Sequence, residues 1–201
     1  METNYDTLIR NNLERIYREP EGLDKKIPAL RRGRQFLFRA FGRDCCLSPE
    51  GVTFSEKADT GPRALLVTLY ALHVVQDPLR LAPFVSFKDL PDSMPYHGAF
   101  SANTERVLVP RVPEILERTE EILKAFEGEK DPPGGSGDLS LLLYPLPKIA
   151  LLYIIYLADE EFPASVTCLF SANARIFMPL DGLADVAEYT SGEIIRLCRG
   201  V

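Results

Sequence analysis

Tryptophan is absent from this 201-residue chain, histidine occurs twice, and the four cysteines form no C-x-x-C pair. Two histidines cannot furnish a histidine-rich metal centre, and without C-x-x-C the zinc-ribbon and thioredoxin-type motifs fall away. No Walker-type or dinucleotide-binding glycine pattern occurs. The one Gly-Ser-Gly string, Gly135-Ser136-Gly137, lies in a proline- and glycine-rich stretch and lacks the strand–turn–helix context of a hydrolase nucleophile elbow. The longest apolar run, Ile149 to Ala158, falls well short of the roughly 20 residues a membrane helix needs. Met1 to Arg10 is polar and carries no apolar signal core, and four scattered cysteines (Cys45, Cys46, Cys168, Cys198) fit a reducing compartment. The expectation is a cytoplasmic protein.

What is present is ordinary globular composition: 46% hydrophobic and 26% charged residues, with a net charge of −6. A chain of this length buries roughly 70% of its unfolded surface and needs no disulfide or structural metal to hold a core. The charge is uneven. Lys25, Lys26, Arg31, Arg32, Arg34, Arg39 and Arg43 follow one another with no acid after Asp24 and before Asp44. The overall negative charge and the lack of a recognition helix or aromatic RNA-binding pattern argue against nucleic acid.

Periodicity predicts an amphipathic helix over Tyr5 to Arg18, with Thr3 and Asp6 as an N-cap signature. Short strands at Gln35–Phe41, Asp44–Leu47 and Val52–Ser55, split by turns such as Ser48-Pro49-Glu50-Gly51, predict a meander. Gly61-Pro62 opens a helix over 62–76 that is apolar almost all round and therefore central. A short strand at Phe84–Lys88, a short helix from Ser101, and a helix from Pro113 to Phe126 follow. Residues 127–138 read as a flexible loop. Leu139–Tyr144, Lys148–Leu157 and Val166–Phe170 read as strands, the second continuous enough to be covered on both faces. A last helix opens at Pro179 or Asp181. The sum is one α+β domain over 1–201, with a mixed or mostly antiparallel sheet packed on helices.

Several residues carry candidate chemistry. Asp159, Glu160 and Glu161 follow a buried strand and can serve acid–base work or a cation, though adjacent acids diverge in direction. His97 lies in a loop and suits proton transfer, whereas His73, on the central helix, is expected to be buried and neutral. Arg34, Arg39 and Arg43 form a candidate anion site, since guanidinium forks suit phosphate and carboxylate. The same arginines also fit edge-strand protection. Cys45 and Cys46 point to opposite faces of a strand, and Cys168 and Cys198 sit in apolar stripes as core residues.

The segments Tyr144-Pro145-Leu146-Pro147-Lys148-Ile149, Asp159-Glu160-Glu161-Phe162-Pro163, Leu169-Phe170 and the closing helix, with Phe87-Lys88-Asp89-Leu90-Pro91, resemble an uncharacterised prokaryotic family, domain of unknown function 3786. The similarity runs from about Phe36 onward. It implies a setting in anaerobic metabolism, where some relatives carry a four-cysteine iron–sulfur module of the kind seen in corrinoid-protein systems; this chain has no such module. It also has Ser171 where relatives commonly have Asp, and Lys148 where they often have Arg. The expectations are a ligand-binding or accessory protein, an enzyme using His97 with Asp159–Glu161, or an interaction module docking through the basic 31–43 segment. No cofactor is indicated.

Overall fold

The structure, a computed structural model, describes residues 3–200. Helix α1 (Asn4–Ile16) opens with a capping box: Thr3 Oγ1 accepts from the Asp6 amide at 3.2 Å, and the Asp6 carboxylate accepts from the Thr3 amide at 2.7 Å. Two amides near the start of the helix thereby gain partners. Its buried stripe is Ile9, Leu13 and Ile16, at helical spacing.

After α2 (Leu23–Lys26) the chain forms an antiparallel meander of β1 (Leu30–Arg32), β2 (Gln35–Ala40), β3 (Arg43–Ser48), β4 (Gly51–Phe54) and β5 (Lys57–Asp59), in that spatial order. The three central strands are those the alternation predicts. The three-residue edge strands β1 and β5 are too short for a period of two to register. Gly42 makes the β2–β3 turn at φ +73°, and a Cβ there would lie 3.2 Å from the Ala125 carbonyl oxygen. Glycine is required on both counts. One residue earlier, the Phe41 amide donates to the Pro145 carbonyl at 2.7 Å and joins this sheet to the second.

Helix α3 (Pro62–His73) starts with proline as expected, buries Ala64, Leu66, Val67, Thr68, Tyr70 and Ala71, and packs against α1, β4 and the C-terminal helix. It stops at His73, before the expected end near Gln76. His73 is exposed rather than buried, because it faces away from the core that buries Tyr70, Ala71 and Val74 around it.

The second sheet is also antiparallel. It runs β6 (Val85–Ser86), β10 (Ser165–Phe170), β9 (Ile149–Tyr156), β8 (Leu139–Leu146) and β7 (Glu129–Lys130). Thus the mostly antiparallel α+β arrangement holds, but as two sheets rather than one. Strand β9 is buried from Ile149 to Ile155. Alternate residues Ala150, Leu152 and Ile154, with Leu142 of β8, lie under Leu79, Leu81 and Phe84, while the other face joins the main core. Both faces are covered, which explains the unbroken apolar run.

Lys148 holds that cover in place. It is 5% exposed, its ammonium donates to the carbonyls of Val75 at 2.7 Å and Asp77 at 2.8 Å, and it stands 5.4 Å from the centre of the Phe177 ring. Desolvation lowers its pKa, with the Asp77 charge opposing the shift. Asn173 continues the attachment, donating to the Pro78 carbonyl and accepting from the Arg80 amide, both at 2.9 Å.

The stretch 127–138 is tied to the sheet more closely than its composition implies. It contains β7, the Asp131 carboxylate accepts from the Ser140 amide at 2.9 Å, and the Asp138 carboxylate accepts from the Leu157 amide at 2.7 Å. Aspartate caps supply what the glycines and prolines cannot.

Between the sheets and the C-terminal helix lie α4 (His97–Phe100), a π-type helical stretch Ser101–Arg106, α5 (Val112–Glu117) and α6 (Thr119–Phe126). The single helix expected over 113–126 is broken at Arg118. There Thr119 Oγ1 donates to the Ile115 carbonyl at 2.9 Å, a back-bond that bends helices. Helix α7 (Leu180–Cys198) closes the fold.

Candidate functional site

Helix α7 buries Leu183, Val186, Ala187, Thr190 and Ile194 against the core. Its opposite stripe turns toward the helical layer of residues 94–106. Between them is a cleft of about 700 Å³. The floor is apolar: Phe87, Phe100, Leu180 and Ala184 line it. Phe87 and Phe100 stack with ring centroids 4.1 Å apart and planes within 5°, and Phe170 of β10 meets both at a tilt. That aromatic cluster fixes the floor to the second sheet. The rim is acidic. Asp92, Asp181, Asp185 and Glu188 stand there with a single guanidinium, that of Arg175. Asn103 Nδ2 donates to Glu188 Oε2 at 3.1 Å and links the two walls.

Thr104 also lines the cleft. It is fully buried, and its hydroxyl has no hydrogen-bond partner. A buried polar group left unpaired costs about 1–3 kcal/mol. Its backbone is by contrast satisfied. The π-type winding leaves the Thr104 carbonyl available, and Ser191 Oγ donates to it at 2.7 Å. Ser191 Oγ also meets the Tyr153 hydroxyl at 3.1 Å, and that hydroxyl lies 3.3 Å from the Ala187 carbonyl. A buried relay therefore runs from β9 through α7 to the cleft wall. π-type turns within helices frequently mark functional sites.

Asp185 carries the clearest electrostatic signal of the cleft. Partial burial desolvates the carboxyl, and Glu188 and Asp181 add like charge, so its pKa is raised above 3.8. A positive charge entering here would relieve that repulsion.

The residues singled out from sequence fall elsewhere. Asp159, Glu160 and Glu161 are exposed at the tip of the β9–β10 hairpin. The Asp159 carboxylate accepts from the amides of Glu161 at 2.8 Å and Phe162 at 2.7 Å, and those two bonds lower its pKa. His97 stands at the other end of β10. Phe100 packs on Phe170, and Glu105 Oε1 accepts from the Cys168 amide at 3.1 Å, so the helix containing His97 starts beyond the Phe170 end. His97 Nδ1 is buried and unpartnered, and His97 does not line the cleft, though Tyr96 and Ala99 do. The structure does not bring His97 to the acidic hairpin.

Nor are the three arginines one site. Arg39 pairs with Asp44 at 3.0 Å and donates to the carbonyls of Gly42 and Ala125. Arg43 lies 3.6 Å from Glu193. Arg34 is on the β1–β2 turn, 5.4 Å from the centre of the Tyr17 ring. All four cysteines are free thiols. Burial pushes the Cys45 and Cys168 thiols far up, which makes them poor nucleophiles. Among the described residues no cluster of three or more His, Cys, Asp or Glu is arranged to hold a metal ion, and no helix is long and apolar enough to cross a membrane.

The cleft was not visible as a site in the sequence. One signal was present: Asp181, Asp185 and Glu188 recur at i, i+4 and i+7, which places them on one face of α7. That pattern alone reads as a solvated helix surface. The lining residues Phe87, Phe100 and Thr104 are far from α7 in sequence and lack any shared motif.

A protein-family model described as Domain of unknown function (DUF3786) matches residues 19–193. No curated protein and no solved structure matches the chain.

Proposed function

The chain belongs to this family of unknown function, and from that premise we propose that it is a binding protein that holds a small organic ligand in the cleft beside α7. The observation that carries the reading is an apolar-floored cavity of small-molecule size, with Thr104, whose buried hydroxyl has no partner, among its lining residues. The volume of about 700 Å³ lies within the range of small-molecule sites, and a mostly apolar lining with a few polar groups is their usual composition. A ligand-binding or accessory role in anaerobic metabolism, with a cytoplasmic location, is the setting we propose for this binding.

The enzyme reading draws less support, because His97 and the Asp159–Glu161 hairpin lie at opposite ends of β10. Docking through residues 31–43 retains only Arg31, Arg32 and Arg34, which are exposed and make no ion pair among the described residues.

Ala99 is exposed and lines the cleft, so Ala99→Trp fills the cavity from its rim with little cost to the core. Native mass spectrometry of wild-type protein purified anaerobically from cells that make it should show a non-covalent small molecule. The same preparation of Ala99→Trp should lack it. Equal occupancy in both would remove the ligand from the cleft and end this reading.

A further inference from the structure

We propose that the ligand of this cleft is an organic cation, an aliphatic or aromatic amine in its ammonium form with an apolar body. The inference rests on the reading that the cleft binds a small molecule and adds the class of that molecule.

Three observations converge on it. The rim sets four carboxylates against one guanidinium, so the field at the mouth is negative. None of the four forms an ion pair among the described residues, in contrast to the acids that neutralise Arg39, Arg43, Arg63, Arg111 and Arg118 elsewhere. Among the described residues Glu188 accepts a hydrogen bond from the neutral Asn103 amide and meets no cation. Second, the floor is aromatic. The stacked Phe87–Phe100 pair lines it, and so does Tyr96, an aromatic side chain 61% exposed; aromatic rings attract cations. Third, and independent of the charges, Thr104 is among the residues lining the cavity, and its buried hydroxyl has no hydrogen-bond partner. An ammonium N–H is the complement of that oxygen, whose two lone pairs are otherwise unused.

Other ligand classes fit less well. An anion would enter against four carboxylates and find only Arg175. A neutral hydrocarbon would bury the Thr104 hydroxyl still unpaired and leave the acidic rim without a counter-charge. Asp185, desolvated and flanked by Glu188 and Asp181, is where an entering positive charge would gain most.

The test is isothermal titration of the full chain with three probes of similar shape: phenethylammonium, the uncharged 3-phenylpropanol and the anion 3-phenylpropionate. Phenethylammonium should bind about tenfold or more tightly than either of the others, with that preference diminishing as salt rises. Asp185→Asn should weaken the cation by about tenfold and leave the alcohol unchanged. Thr104→Val, which keeps the side-chain shape, should weaken the ammonium and spare the quaternary analogue benzyltrimethylammonium, which has no N–H to give. Circular dichroism on each variant confirms that it is folded.

If the alcohol or the carboxylate binds as tightly as the cation, and Ala99→Trp blocks it, the ligand class is wrong and the cleft remains the site. Cation binding that persists undiminished in Ala99→Trp overturns the site as well. Failure of all three probes to bind at millimolar concentration overturns the assignment to amines, and the native mass spectrometry above then decides the cleft on its own.

Discussion

Single side chains do much of the positioning in this molecule. Ser191 serves two elements at once, donating to the Thr104 carbonyl and meeting the Tyr153 hydroxyl, all of it buried. Ser191→Ala leaves the Thr104 carbonyl without this partner and the Tyr153 hydroxyl with the longer contact to the Ala187 carbonyl, and should lower stability by about 1–3 kcal/mol in urea unfolding. Amide exchange in the 101–106 stretch should accelerate with it. An unchanged midpoint would show that the relay does not hold the cleft wall. Lys148 is the other such residue. Lys148→Met retains the apolar stem and removes both carbonyl contacts, so a loss of about 1–3 kcal/mol is expected, together with easier proteolysis near residues 75–80. The sequence placed Lys148 correctly at the head of a buried strand. What it could not show was that the ammonium turns inward to two carbonyls more than seventy residues away, since nothing local encodes that partnership.

Elements were more legible than sites, and the reason is physical. Strands β2, β3, β4, β8, β9 and β10 and helices α1, α3 and α7 each bury a face large enough to leave a period in the sequence. The elements that leave no such period, β1, β5, β7, α2 and α4, span two to four residues and owe their form to neighbours. The break at Arg118 escaped because Thr119 bonds back to Ile115 only once a helix exists. Two predictions belong here. Gly42→Ala must place a side chain at φ +73° beside the Ala125 carbonyl, and should cost about 1–2 kcal/mol or more, read from the thermal midpoint. At the β9–β10 hairpin the Asp159 carboxylate caps two amides and its folded pKa is depressed. Its contribution is therefore complete above the unfolded pKa of about 3.8 and is lost as pH falls through the lower folded value. Amide exchange at Glu161 and Phe162, corrected for intrinsic pH dependence, should rise only in that acid window.

At the scale of the whole molecule, a buried core running from Ile9 to Ile194 supports a cleft whose floor joins Phe87 and Phe100 to Leu180 and Ala184 and whose rim comes largely from α7. Assembly from distant segments explains why the sequence pointed to the compact strings Asp159–Glu161 and Arg34–Arg43 instead. Those strings are conspicuous in one dimension; in three Asp159 caps a turn, Arg39 pairs with the nearby Asp44, Arg43 with the distant Glu193, and Arg34 lies beside the Tyr17 ring. Asp185 ties the charge of the cleft to the stability of the whole. Its raised folded pKa means that the empty protein is penalised as pH rises from the unfolded value of 3.8 through the folded one, and the penalty is absent below both. The groups facing it are Asp181 and Glu188 on α7, with Asp92 and Arg175 across the rim. Asp185→Asn should thus raise the melting temperature of the ligand-free protein at pH 7, have no such effect near pH 3, and weaken cation binding at pH 7. Stability gained with binding lost is the expected signature of a carboxylate kept for a ligand.

The most direct test of the cleft is an amide NMR titration of the wild-type chain with phenethylammonium. The structure predicts that the largest shifts cluster on Ala99, Phe100, Thr104, Ala184 and Asp185, saturate with one site, and vanish in Ala99→Trp. Shifts centred instead on the 31–43 hairpin or the 159–163 turn, or no saturable shifts at all, would contradict it.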